Sequence, residues 1–212
     1  MRLRKKKWSN DVYEDYQDVI VDEFEHIKGN WKETMRVDRL RLEIGSGKGD
    51  YWHHCADVYQ PDGIIGMERD FTAGAIALKK LETYGKDRKR FIHNDAKSLI
   101  EMFGEGEIDV IHLNFSDPWP KTRHEKRRLT HPSKLELYKT VLSQNGEIWM
   151  KTDNVGLFNY SVVTVTQNGF DLIELDVDFR SQEKEDPTSE YERKFMEKGQ
   201  PIFRAIWRKK DA

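Results

Sequence analysis

Short apolar, β-prone runs recur along the chain at 40–44, 63–67, 90–93, 108–115 and 146–151, and helix-like stretches separate most of them, at about 50–59, 72–84, 97–103, 132–142 and 154–168. Strands alternating with helices predict βαβ units and a parallel sheet. Two more β-like runs, 171–179 and 201–208, close the chain with a charged segment between them, which predicts a hairpin-like antiparallel edge. A helix over about 12–28 is expected before the first strand. The pairs Asn145-Gly146 and Asn168-Gly169 are expected to mark turns into the strands that follow. The fold class predicted is α/β: an open, doubly wound, mostly parallel sheet of seven strands with that antiparallel C-terminal edge hairpin.

Composition bounds this picture. With 212 residues the chain is sized for a single domain with its own core, here 1–212 with a basic N-terminal extension of about ten residues. Hydrophobic content is 37% and charged content 35%. The formal charge of −2 hides a segregation: residues 2–8 carry five basic side chains and no acid, 11–25 carry seven acids and no Lys or Arg, and 121–134 carry six Lys or Arg against one acid. A local basic stripe suffices to bind phosphates, so the net charge does not exclude a nucleic acid. The acidic stretch 11–25 reads as a solvated face. A lone Cys55 excludes an internal disulfide and disfavours a cysteine-based zinc site, and the histidines show no metal spacing, so no metal is expected. No apolar run approaches the ~18 residues of a membrane span, and no apolar stretch follows the basic N-terminus. The expectation is a soluble, cytoplasmic protein, with monomer and homodimer both open.

The candidate chemistry begins at the first strand. Leu40-Arg41-Leu42-Glu43-Ile44-Gly45-Ser46-Gly47-Lys48-Gly49-Asp50 runs from a strand through a glycine-rich turn into a helix. Glycines permit positive φ and a close ligand approach, and the helix N-terminus offers free N–H groups. A dinucleotide fingerprint needs G-x-G-x-x-G; here the third glycine falls one residue early. The pattern E-x-G-x-G-x-G resembles the first motif of Rossmann-like (class I) S-adenosylmethionine-dependent methyltransferases. That resemblance implies S-adenosylmethionine as cofactor, held around Glu43, Gly45, Gly47 and Gly49. It also implies that Glu68, ending the second strand, binds the ribose hydroxyls, and that Asn94 and Asp95, after the third, lie near the adenine.

The densest signal follows the fourth strand: Asn114-Phe115-Ser116-Asp117-Pro118-Trp119-Pro120-Lys121-Thr122-Arg123-His124, then Lys126-Arg127-Arg128-Leu129. Each proline fixes its own φ and biases the preceding residue towards extended geometry, so Asp117 and Trp119 are expected to be held stiffly in extended backbone at the sheet edge. An acid beside an aromatic suits a planar, hydrogen-bonding ring, and the basic run suits a polyanion. Together they suggest chemistry on a nucleobase. Trp119 either packs under the sheet edge or stacks on that base. This segment resembles the signature of the bacterial-type tRNA (guanine-N7)-methyltransferases. The likeness covers nearly the whole chain, through Met1-Arg2-Leu3-Arg4, Trp8, the glycine motif, Glu68, Asn94-Asp95, Lys151-Thr152-Asp153-Asn154 and Ser189-Glu190-Tyr191-Glu192 before Lys194-Phe195.

The resemblance implies methylation of N7 of a tRNA guanine, position 46 in the variable loop, with tRNA as partner. It implies Asp117 as the catalytic acid, also beside the cofactor. It implies substrate contacts from Lys121, Arg123, Asp153 and the segment Thr188, Ser189, Glu190, Tyr191 and Glu192. Trp119, Lys126, Arg127 and Arg128 are candidate RNA contacts. The family's usual Thr-x-x-Glu is here Ser189-x-x-Glu192 with Thr188 one earlier, so either hydroxyl could serve. Two rival readings remain on the residues: an amino-methyltransferase acting on an exocyclic nitrogen, which the missing second proline after Pro118 argues against, and a non-catalytic RNA-binding module, which the intact glycine and acid set argues against.

Overall fold

The computed structural model describes residues 6–210; the basic residues Arg2, Arg4 and Lys5 of the expected N-terminal cluster lie outside them. One seven-stranded sheet carries the fold, in the order β3-β2-β1-β4-β5-β7-β6. Its strands are β1 (Leu40–Ile44), β2 (Gly63–Met67), β3 (Lys89–Ile92), β4 (Ile108–Asn114), β5 (Leu142–Thr152), β6 (Phe170–Asp176) and β7 (Phe203–Lys209). The first five are mutually parallel. β7 runs antiparallel between β5 and β6, so the C-terminal pair closes one edge as expected. Every residue of β1 and β2 is buried, because helices cover both faces and a parallel strand then has no solvent side. β6, at the uncovered edge, leaves five of its seven residues exposed.

The helices are α1 (Trp8–Asp15), α2 (Trp31–Met35), α3 (Asp50–Val58), α4 (Phe71–Lys79), α5 (Leu81–Tyr84), α6 (Leu99–Met102), α7 (Pro132–Val141), α8 (Val155–Gln167) and α9 (Glu190–Met196). Local chemistry starts several of them. Asp70 accepts from the Thr72 and Ala73 amides at α4, and Asn154 accepts from Leu157 N at α8. α7 begins with Pro132 in its first turn, where the missing N–H is no loss. One core face centres on Trp31, Leu42, Ile111, Tyr138, Phe170 and Trp207. The other packs Tyr16, Val19, Trp52, Leu78 and Phe91.

Three expectations are corrected. The helix over 12–28 stops at Asp15; Val19-Ile20-Val21 instead lie alongside β3, with Phe91 N donating to Val19 O at 3.0 Å and Val21 N to Phe91 O at 2.9 Å. Three successive β-branched residues fit an extended strip better than a helix and cover an otherwise open sheet edge. Asn145-Gly146 is not a turn before β5 but part of it, at a bulge where the pairing jumps from Ile108↔Leu142 to Val110↔Glu147. The helix over 72–84 divides at Lys80 into α4 and α5.

Candidate active site

The strand order reverses between β1 and β4, and the crevice beyond the carboxyl ends of such strands is where open α/β sheets bind ligands. A cavity of about 560 Å³ lies there. It gathers Gly45, Glu68, Asn94, Asp95, Asp117, Trp119, Lys126 and Arg127 from four different strand ends, with Arg69, Lys97, Phe115 and Lys134 beside them. Sequence reasoning gives Arg69, Lys97 and Phe115 no site role and places Lys134 only in the basic stripe 121–134.

The loop after β1 is built by glycine geometry. Gly45 and Gly47 have φ of +80° and +55°, and a Cβ on either would meet nothing within 4 Å. Glycine there serves conformation and leaves free space above the backbone. Gly49 differs: a Cβ would sit 2.7 Å from Ala77 Cβ, so this glycine lets α3 approach α4 and does not face the cavity. Glu68 holds the loop, its Oε2 accepting from Gly47 N at 2.9 Å and its Oε1 from Asp70 N at 2.7 Å. Each oxygen keeps a lone pair for a hydroxyl. Asp95 accepts from Lys97 N at 2.8 Å, and Asn94 Oδ1 from Asp95 N at 2.8 Å.

Glu43 lies beneath this loop, 2% exposed and off the cavity wall. Burial pushes its pKa up to about 8, against the opposing hydrogen bond from Asn114 Nδ2 to Oε1 at 3.1 Å and the charge of Lys151. Its other oxygen has no partner among the described residues. Glu43 is therefore held as a neutral acid under the glycine turn, and not as a free carboxylate facing a ligand.

Beyond β4, Asp117 is exposed on the cavity wall and makes no hydrogen bond or ion pair among the described residues. The turn after it departs from expectation: Trp119, though followed by proline, has a φ of +42° and is not extended. Arg128 accounts for this, donating from Nε to Pro118 O and from Nη2 to Trp119 O, each at 3.2 Å, while its guanidinium lies 4.2 Å from the Tyr160 ring centroid. Arg128, half-buried, is thus turned onto the backbone as the brace of the turn. Arg127 lies over the Trp119 ring at 4.8 Å, and His124 meets that ring edge-on. Lys121, Arg123, Lys126 and Arg127 are exposed along a short 3₁₀ helix, Thr122–Arg127, and its flank. Burial lowers the pKa of Lys134, opposed by the charge of Asp95.

The C-terminal segment is anchored by a buried ion network that sequence reasoning missed. Lys151 Nζ donates to Asp186 Oδ2 at 2.6 Å, Glu192 Oε2 at 2.7 Å and Pro187 O at 2.7 Å. Arg180 reaches both acids, and Arg204 reaches Asp186. Glu192, 0% exposed, belongs to this network and does not face a substrate. Ser189 and Glu192 form a capping box that starts α9, so the Ser189 hydroxyl is engaged by Glu192 N at 3.0 Å. The spacing S-x-x-E is the signal that could have found α9 from sequence. The Thr188 hydroxyl accepts from Arg193 at 3.3 Å. Glu190 pairs with Lys194 and with Lys48 of the glycine loop, which lowers its pKa to about 2. Asp153 follows β5, half-buried and making no hydrogen bond or ion pair among the described residues, and Tyr191 is exposed. Among the described residues no cluster of His, Cys, Asp or Glu is placed to hold a metal, and no helix is long and apolar enough to cross a membrane.

The chain matches the Methyltransf_4 methyltransferase family over residues 38–205. It is 41% identical to the tRNA (guanine-N(7)-)-methyltransferase of Oceanobacillus iheyensis over 206 residues, covering 96% of this chain and 97% of that one. The chain belongs to the tRNA (guanine-N7)-methyltransferase family. A second member, from Bacillus velezensis, is 39% identical and aligns over 100% of this chain and 99% of its own. Solved structures agree in fold. An antibiotic-related methyltransferase superposes with a TM-score of 0.65 at 16% identity, covering 85% of this chain and 93% of that one, and the 16S rRNA methyltransferase KamB with 0.63 at 11%, covering 84% and 92%. The sheet is that of a class I methyltransferase.

The cavity fits the cofactor of that class, S-adenosylmethionine. Two positive-φ glycines leave open space over the loop, and the carboxylates of Glu68 and Asp95, at the ends of neighbouring strands, suit ribose hydroxyls and an adenine amino group.

Proposed function

We propose that the protein transfers the methyl group of S-adenosylmethionine to N7 of a guanine in tRNA, at position 46 of the variable loop, with residues 1–212 acting as one methyltransferase domain. One observation carries the reading: Glu68, Asp95 and Asp117, from three different strand ends, line a single cavity at the reversal of the strand order, and Asp117 is without a partner there among the described residues.

S-adenosylmethionine, when bound, supplies an electrophilic sulfonium methyl. Guanine N7 has a lone pair and no proton, so a new N–C bond forms as the C–S bond breaks and its electron pair returns to sulfur. No base need remove a proton. The protein's task is alignment, which contributes up to ~7–11 kcal/mol in the best cases. In this reading Gly45, Gly47, Glu68 and Asp95 hold the cofactor. A carboxylate, Asp117 or Asp153, accepts from guanine N1–H and N2–H₂, contacts adenine cannot make, and its charge favours the cationic purine. The exposed Lys121, Arg123, Lys126 and Arg127 suit tRNA phosphates.

Asp117→Asn tests it. Single-turnover methylation is expected to fall by roughly two orders of magnitude or more, the scale for one preorganised electrostatic group. Binding of S-adenosylhomocysteine is expected to stay, because Glu68 and Asp95 remain. A wild-type rate would remove Asp117 from the reaction and move the role to Asp153.

A further inference from the structure

Phe115, the first residue beyond β4, has a φ of +49°. Left-handed backbone at a bulky aromatic is uncommon and persists where the surroundings enforce it. Here the Phe115 amide donates to Lys151 O at 2.8 Å, and the ring lines the cavity two residues from Asp117. Phe195 of α9 lies parallel to it, planes 6° apart and centroids 6.2 Å apart. Tyr191, one turn earlier on α9, sits 6.5 Å from Phe115 and 6.0 Å from Phe195. Tyr191 is 62% exposed, on a helix that Glu192 locks into the buried ion network. A large aromatic ring, tilted 33° from Phe115, is thus presented to water at the cavity end of the sheet by an anchored helix. Trp119, the aromatic that the sequence favours, has Arg127 over one face and His124 at its edge.

We infer that Phe115 and Tyr191 are the platform on which the target guanine stacks, with Phe195 fixing the tilt of Phe115. The inference rests on the function proposed above. Stacking suits any base, but N7 methylation turns a neutral purine into a cation. Aromatic faces attract cations, so the contact strengthens as the new bond forms, which is the condition for raising rate and not affinity alone. The platform is also fixed relative to the cofactor loop, through Lys48–Glu190 at 3.1 Å and Asp50–Arg193 at 3.1 Å.

The test uses the full chain with unmodified tRNA. Tyr191 is largely in water, so Tyr191→Leu puts the fold at little risk, and S-adenosylhomocysteine affinity checks the site. The expected result is a single-turnover rate and tRNA affinity that fall together by roughly 5- to 100-fold, the range for removal of one base–aromatic stack. Tyr191→Trp restores both, and Phe115→Leu repeats the loss. Wild-type rate and affinity in Tyr191→Leu and Phe115→Leu, while the parent enzyme forms 7-methylguanosine, would overturn the platform. Failure of the parent enzyme to form 7-methylguanosine would instead overturn the function on which it rests.

Discussion

Lys151→Met removes one charge from the middle of the buried network while keeping a stem of similar length. The ammonium is shared by Asp186, Glu192 and Pro187 O, all within 2.7 Å, and the two acid side chains are 4% and 0% exposed. In the intact network Lys151, Arg180 and Arg204 face Asp186, Glu192 and Glu174, so charges balance. Without Lys151 two arginines face three acids, the excess charge falling on the half-exposed Glu174 side, and Asp186, Glu192 and Pro187 O each lose a buried hydrogen-bond donor. Breaking a buried pair from one side costs about 3–5 kcal/mol, and the two remaining arginines place this case near about 3 kcal/mol. Urea unfolding of the variant measures the loss directly. Adding Glu192→Gln removes an acid and is expected to recover part of it, a coupling of roughly 0.5–3 kcal/mol in a double-mutant cycle. Because 186–192 is tethered through this ammonium, that stretch is also expected to become protease-sensitive. A loss below about 1 kcal/mol, or strict additivity of the two substitutions, would refute the claim that charge balance holds the C-terminal segment.

Glu43, with its pKa raised from 4.5 to about 8 by burial, keeps in the folded state a proton that the unfolded chain releases. Stability is therefore expected to fall as pH rises from about 4.5 to about 8, and Glu43→Gln to flatten that fall in urea titrations; identical slopes would show that Glu43 is ionised in the fold. Gly49→Ala, with φ +81° and a contact at 2.7 Å, is expected to unfold at lower temperature than Gly47→Ala, which meets open space and carries only the backbone strain of φ +55°; Gly47→Ala is expected in addition to lose cofactor affinity by calorimetry. Lys126→Gln with Arg127→Gln is expected to weaken binding of different tRNAs alike and to reduce the salt slope by up to ~0.9 log units for each phosphate no longer neutralised; an unchanged slope would leave these side chains as a solvated loop.

The parallel sheet is legible in the sequence because buried strands read as short continuous apolar runs, and the site because its acids and glycines stand directly after those runs. What stays hidden are long-range partnerships. Lys151 and Glu192 are 41 residues apart, and nothing local marks either as buried. Gly49 fits a ligand loop by spacing, yet its contact is Ala77 on another helix. Arg128 stands in a basic run indistinguishable from its neighbours, and only the fold turns it onto the carbonyls of Pro118 and Trp119. Trp119 takes a conformation that proline chemistry disfavours because that clamp overrides a local bias. The 12–28 segment misleads because its acids resemble a helix surface, whereas Val19-Ile20-Val21 answer to an open sheet edge.

The central claim is a reaction at one atom of one base. Unmodified tRNA is incubated with the protein and methyl-labelled S-adenosylmethionine, digested to nucleosides, and the label mapped along the tRNA. The account predicts 7-methylguanosine, confined to guanine 46 of the variable loop, and none when that guanine is replaced by adenosine. Label in an N2-methylated guanosine or an N6-methylated adenosine, or in 7-methylguanosine at another position, would contradict it.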